Sequence, residues 1–148
     1  MLEEYKQDSS MTISAQKNDE LVVVSDNLKL VHLRDQGIDV AYFGSLQSHA
    51  RLSKGVLASY LGVDPTTIDN YRKRKKKLTG DSAEKLLKLH RLFALGKELF
   101  GTMDEFMDWL HMPSPGLEGQ QPHAMLHSIT GISEVEKQLN RIIHGYVA

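Results

Sequence analysis

Cysteine is absent from the 148 residues, which excludes disulfide scaffolds, thiolate zinc sites, iron-sulfur clusters and cysteine nucleophiles. Long apolar runs are absent too: the longest plain aliphatic stretch is Leu21 to Val24, against the roughly 18 residues that a membrane-spanning helix needs. The opening Met1, Leu2, Glu3, Glu4, Tyr5, Lys6 lacks the basic and apolar regions of a signal peptide, so a cytoplasmic protein without a membrane span is expected. No HExxH, GxSxG, GxGxxG or GK[ST] pattern occurs. His123 and His127 stand four apart, on one face of a helix, but no carboxylate at the needed spacing completes a metal set. The expectation is therefore a protein that is not an enzyme, with no catalytic residue, no metal and no cofactor. What is present, 41% hydrophobic and 25% charged residues, suffices for one globular domain or two small lobes.

The net charge of -1 conceals a segregation. Residues 51–97 hold twelve Lys or Arg against four Asp or Glu, a balance of +8, so the remainder carries -9. Screening confines such a field to about 8 Å, so the basic part can face a polyanion while the rest faces something else.

Residues 1–20 are polar and without periodicity, as in a disordered leader. Leu21 to Val24 could form a short strand. A short helix is expected from Leu28, on Leu28, Val31 and Leu33 with Lys29, His32 and Arg34 between, stopped by Gly37, and a second over residues 39–49 burying Val40, Phe43 and Leu46. Ser53 caps a third over residues 54–61, Gly62 breaks it, and Asp64 with Pro65 opens a fourth to about Arg74. A long helix, about residues 82–100, carries an apolar stripe that includes His90, and a compact one spans residues 103–111. A Pro- and Gly-rich loop over residues 113–122 precedes two more helices, near residues 122–127 and 132–144.

Residues 54–73 meet the steric demands of a helix-turn-helix: Ala58 is small where two helices cross, Gly62 supplies the turn, and Leu57, Leu61, Val63, Ile68 and Tyr71 point inward. The outward face of its second helix carries Thr66, Asp69, Asn70 and Lys73, with Thr67 beside them. Asn suits adenine, Thr suits a base or a thymine methyl, and Asp69 suits the cytosine amino group. Immediately after come Arg72, Lys73, Arg74, Lys75, Lys76 and Lys77, a third of all the cations and placed to anchor phosphates. An αα-hairpin with a solvated charged face is the bland alternative. One such helix reads too few base pairs alone, so a homodimer on duplex operator DNA is expected.

Trp109, Phe106, Met103, Met107 and Met112 cluster on or beside one short helix, a pattern more often core than interface. After Gly145, the closing Tyr146, Val147 and Ala148 are apolar and placed either to enter a partner's pocket or to fray.

The order Pro113-x-Pro115-x-Leu117-x-Gly119-x-x-Pro122, then Gly131, Val135, Leu139, Arg141-Ile142 and His144-Gly145-Tyr146-Val147-Ala148, resembles antitoxins of the Xre/MbcA/ParS type, partners of RES-domain toxins in type II toxin-antitoxin modules. The resemblance covers residues 28–148. It departs from the family at Glu118, where glycine is usual, and at Gln121, where Ser or Thr precedes the proline. The resemblance implies an all-α chain: an Xre-like helix-turn-helix lobe over residues 21–100 that represses its own operon as a transcriptional repressor, followed by a small helical toxin-binding lobe over residues 101–148. RES toxins of this kind consume NAD, and the resemblance implies that Arg141, His144, Gly145, Tyr146, Val147 and Ala148 lie at the toxin's pocket and occlude it. A stand-alone helix-turn-helix repressor without a toxin partner would use the same DNA lobe and is the alternative; an enzyme has only scattered histidines and carboxylates in its favour.

Overall fold

Five of the seven α-helices in the computed structural model, which describes residues 20–145, begin on a side chain that accepts a backbone N–H of the first turn: Asp26, Ser53, Asp64, Thr102 and Ser128. They are α1 (Asn27–Gln36), α2 (Ala41–Ala50), α3 (Lys54–Leu61), α4 (Pro65–Arg74), α5 (Gly80–Phe100), α6 (Met103–Leu110) and α7 (Ile129–Ile143). Two 3-10 turns, Pro115–Leu117 and Pro122–Met125, lie between α6 and α7. The fold is all-α: among the described residues strand-like pairing is confined to isolated bridges, Ile38 with Leu78 and Ser114 with Gln120.

The centre of the molecule is α5, against which α1, α2, α3, α6 and α7 all pack. That encirclement explains why its buried face, Ala83, Leu86, Leu87, Leu89, His90, Leu92, Phe93 and Gly96, is wider than a single stripe. Each fully buried Leu or Phe contributes on the order of 1.5–3 kcal/mol. At the far end of α5, Phe93 meets Phe106 edge-on at 5.3 Å and Phe106 stacks on Trp109 at 5.9 Å. Trp109 is only 9% exposed, so this aromatic group is core, as its spacing indicates.

Several expectations need correction. The stretch Leu21 to Val24 is an extended arm with no strand partner among the described residues. Val22 and Val24 are buried against the core, and their backbone groups are satisfied by α5 side chains: Val22 N–H donates to His90 Nδ1 at 3.0 Å and Arg91 Nη1 donates to the Val24 carbonyl at 3.2 Å. Of the leader, the described Glu20 has its carbonyl accepting from Ser45 Oγ at 2.6 Å; the rest of that expectation, residues 1–19, lies outside the described residues. In α1 the buried residues are Leu30 and Leu33, whereas Leu28 is 82% exposed and Val31 49% exposed, because the helix turns a different face to α5. Residues 122–127 form a 3-10 turn ending at Met125 instead of an α-helix. The final helix starts at Ile129, three residues before Ile132, because Ser128 Oγ accepts from Gly131 N at 2.9 Å.

Candidate nucleic-acid interface and partner surface

The turn between α3 and α4 is built on Gly62, whose φ of 73° is a left-handed conformation that a side chain resists. Its N–H donates back to Ser59 and the next N–H, of Val63, to Ala58, closing α3 before Asp64 caps α4. Leu57, Ala58, Leu61 and Ile68 are buried, and Val63 and Tyr71 pack partly buried against them, so the inward positions of the helix-turn-helix are those read from the sequence.

On the outward face Thr66, Asn70, Arg72, Lys73 and Arg74 are exposed, as are Lys75, Lys76 and Lys77 beyond the helix end; Thr67 is half-buried. The basic run is folded chain. Lys75 takes a left-handed conformation at φ 54°, Lys76 N–H donates to the Tyr71 carbonyl at 2.8 Å, and Lys76 Nζ sits 4.7 Å from the Tyr71 ring centroid. Paired backbone bonds between Ile38 and Leu78, both 2.9 Å, pin its far end. Arg72, Lys75, Lys76 and Lys77 line one cleft of about 270 Å³ with Asp39 and Val40.

Two outward residues are already engaged. Asp69 accepts from Lys54 Nζ, a pair that ties α4 to the start of α3, and stands 3.8 Å from Arg72 Nη1. The Lys54 hydrogen bond holds its carboxyl below the usual carboxylate range. Both cations approach the same oxygen, Oδ1, so part of the acceptor capacity that a cytosine amino group would use is engaged within the chain. Thr66 Oγ1 donates to Asp64 Oδ1 at 2.7 Å, leaving its methyl and its acceptor capacity outward. The Thr66 bonds likewise hold the Asp64 carboxyl low. Asn70, Arg72, Lys73 and Arg74 are the exposed polar groups of α4 with the reach to hydrogen-bond a ligand.

The second surface lies at the end of α7 and the loop before it. Arg141, His144 and Gly145 are all exposed there, with Gly145 at φ 86° after the helix; Tyr146, Val147 and Ala148 lie outside the described residues. Ser114 closes the loop: its N–H donates to Gln120 at 3.0 Å, and its carbonyl accepts from Leu117 and Gly119. Glu118 occupies a left-handed conformation at φ 57°, where glycine would be less strained. Gln121 provides no side-chain cap; its Oε1 instead faces His123 Nε2 at 2.8 Å. The histidines expected to share a helical face lie in and just after a 3-10 turn, and their rings have other partners: His123 stacks on His111 at 4.3 Å, and His127 sits edge-on to Tyr60 of α3 at 5.0 Å. Among the described residues no group of three or more His, Cys, Asp or Glu is placed to hold a metal ion, and no helix is long and apolar enough to cross a membrane.

Comparison with known proteins divides the chain along the same lines. Residues 29–91 match the antitoxin Xre-like helix-turn-helix domain, and residues 95–145 match the antitoxin Xre/MbcA/ParS C-terminal toxin-binding domain. In order, these two stretches match the helix-turn-helix domain and the toxin-binding domain of Xre-family antitoxins. Relatives named antitoxin Xre agree: one from Photorhabdus laumondii is 25% identical over 77% of this chain and 78% of its own, and one from Yersinia enterocolitica 23% identical over 83% and 80%. A third, from Pseudomonas putida, is 29% identical over 54% of this chain and 50% of its own. The two matched stretches meet inside α5, whose 21 residues begin in one and end in the other. Across that junction Arg91 Nε pairs with Glu136 of α7 at 2.9 Å while its Nη1 holds the arm, and Arg51 Nη1 pairs with Asp104 of α6 at 2.9 Å.

Sequence reasoning missed three residues at these surfaces. Lys54 gave no sign of pairing fifteen positions away, Tyr60 none of receiving His127, and Gln138 looked like an ordinary polar residue of a helix but is fully buried. The one available signal was the apolar periodicity of α7, in which Gln138 stands next to Leu139 and three positions after Val135, on the inward side.

Proposed function

We propose that the chain is an antitoxin that represses its own operon through α4 and neutralises a RES-domain toxin with its C-terminal end. The supporting observation is the pairing of two exposed surfaces on two matched domains: a cationic one over Arg72 to Lys77 and a second one over Arg141 to Gly145. In this reading residues 21–100 work as the DNA lobe and residues 101–148 as the toxin lobe, behind a leader over residues 1–20. A cytoplasmic homodimer sets two α4 helices in successive major grooves of a palindromic operator. Lys75, Lys76 and Lys77, with Arg72 and Arg74, neutralise phosphates and set affinity and register; Asn70, Lys73, Thr66 and Thr67 supply base preference. Tyr146, Val147 and Ala148 enter the toxin's concave site and exclude its NAD, with Arg141 and His144 at the rim. Tyrosine is a favoured anchor because it brings a large ring at small entropic cost and a hydroxyl for a polar partner.

Two variants separate the halves of this function. Deleting residues 146–148 restores NAD consumption by the toxin and leaves operator binding unchanged. Replacing Lys75, Lys76 and Lys77 together by Ala weakens binding to every DNA sequence and reduces the salt slope by up to about three counterions, with toxin neutralisation unchanged. If the truncated chain still neutralises the toxin fully, the tail is not the plug and the loop over residues 113–122 takes its place.

A further inference from the structure

We propose that Gln138 is a positioning residue that pre-orients Arg141 to receive a carboxylate of the toxin. The proposal rests on the toxin-binding reading of the C-terminal end and adds to it the residue that presents Arg141 and the chemistry of the group it meets.

Among the described residues Gln138 is the only buried glutamine, and it is 0% exposed, an expensive place for an amide unless its polar atoms are used. Its side chain lies over Gly116 of the first 3-10 turn so closely that a Cβ on Gly116 would overlap the amide. Its Oε1 then accepts from Arg141 Nη1 at 2.9 Å. Glu134, Gln138 and Arg141 follow one face of α7 at four- and three-residue spacing, so the amide stands between the loop and the guanidinium. The loop itself is locked by the Ser114 backbone bonds. Rigidity is thereby passed from loop to amide to guanidinium.

The charge of Arg141 indicates what it meets. Of the six arginines, Arg34, Arg51, Arg72 and Arg91 form ion pairs with carboxylates of the chain. Among the described residues Arg74 and Arg141 show no such pair; Arg74 belongs to the basic run, which leaves Arg141 as the exception elsewhere. The Gln138 amide is neutral and takes one N–H of the guanidinium, and among the described residues no carboxylate balances the charge or takes the other donors. A guanidinium held at a fixed angle with a free edge matches the bidentate geometry of a carboxylate, and immobilisation in advance lowers the entropic cost of that contact.

The test is a double-mutant cycle on the full chain, reading affinity for the purified RES-domain toxin encoded in the same operon. Arg141→Ala is expected to weaken binding about thirtyfold or more, in the range for a hydrogen-bonded charge. Gln138→Met, which keeps volume and removes the acceptor, is expected to weaken it about tenfold with DNA binding intact, and to have no further effect in the Arg141→Ala background. Equal losses from Gln138→Met with and without Arg141 would make Gln138 merely structural and overturn the proposal. Arg141→Ala without effect would show that Arg141 is not at the toxin surface, and absence of binding by the unaltered chain would remove the toxin-binding reading itself; either outcome overturns the proposal. Should Gln138→Met not fold, nitrogen relaxation at Arg141 Nε in the unaltered, toxin-free chain decides: an ordered side chain supports the proposal and a freely rotating one defeats it.

Discussion

His90, buried in α5, receives the backbone N–H of Val22 on Nδ1 at 3.0 Å, and its Nε2 lies 2.8 Å from the Tyr42 carbonyl. With Nδ1 accepting, the ring must be the neutral Nε2–H tautomer, and one imidazole joins the extended arm, α2 and α5. Burial pushes its pKa from 6.5 down to about 4.

A histidine held neutral in the fold and free to charge in the unfolded chain makes stability pH-dependent with a defined sign. The contribution is complete above about 6.5 and falls away as pH drops toward about 4, because the unfolded state binds the extra proton throughout that window. The loss amounts to about 3 kcal/mol at most. Denaturant midpoints measured at pH 7.5 and 4.5 should differ more for the native chain than for His90→Gln; an equal difference in both would remove His90 as the cause.

Two helical glycines are expected to respond in opposite directions to alanine. A Cβ on Gly131 would overlap the Met125 carbonyl oxygen, whereas a Cβ on Gly44 of α2 would meet nothing within 4 Å. Gly131→Ala should cost about 1–3 kcal/mol, since backbone must move to relieve the overlap. Gly44→Ala should gain about 0.5–1 kcal/mol from helix propensity. Thermal melts of the two variants beside the native chain check both signs.

The Asp69 and Lys54 pair makes a prediction contrary to base reading. Asp69→Asn removes a negative charge from the DNA-facing side and frees Lys54, so affinity for unrelated duplexes should rise several-fold and the salt slope steepen by about one counterion. Preference among bases should stay as it was. A selective loss at one G·C position in a binding-site titration would restore Asp69 as a reader of cytosine.

The helix-turn-helix was readable nearly to the residue because its signals are local: a cap at Ser53, a turn at Gly62, a cap at Asp64 with Pro65 behind it. The same holds for Gly37 after α1. What could not be read there are partnerships across the chain. Arg91 meets Glu136 from 45 positions away, and Asp69 is paired by a lysine one helix earlier. The start of α7 was misplaced for a related reason: glycine inside a helix reads as a boundary, and only the approach of the Met125 carbonyl explains why Gly131 lies past the start. The arm looked like a strand because valines favour extended backbone, yet an extended backbone can also be satisfied by a histidine and an arginine.

Because α5 is continuous from Gly80 to Phe100, the two domains have no slack between them. A helix of that length is a spacer of about 30 Å with a fixed screw, each residue advancing it by about 1.5 Å and turning it by about 100°. Inserting or deleting one residue near Leu92 would therefore re-aim one domain against the other without touching either surface. A chimera that joins one half to another chain's must therefore keep the phase of this helix as well as the residues at its two ends.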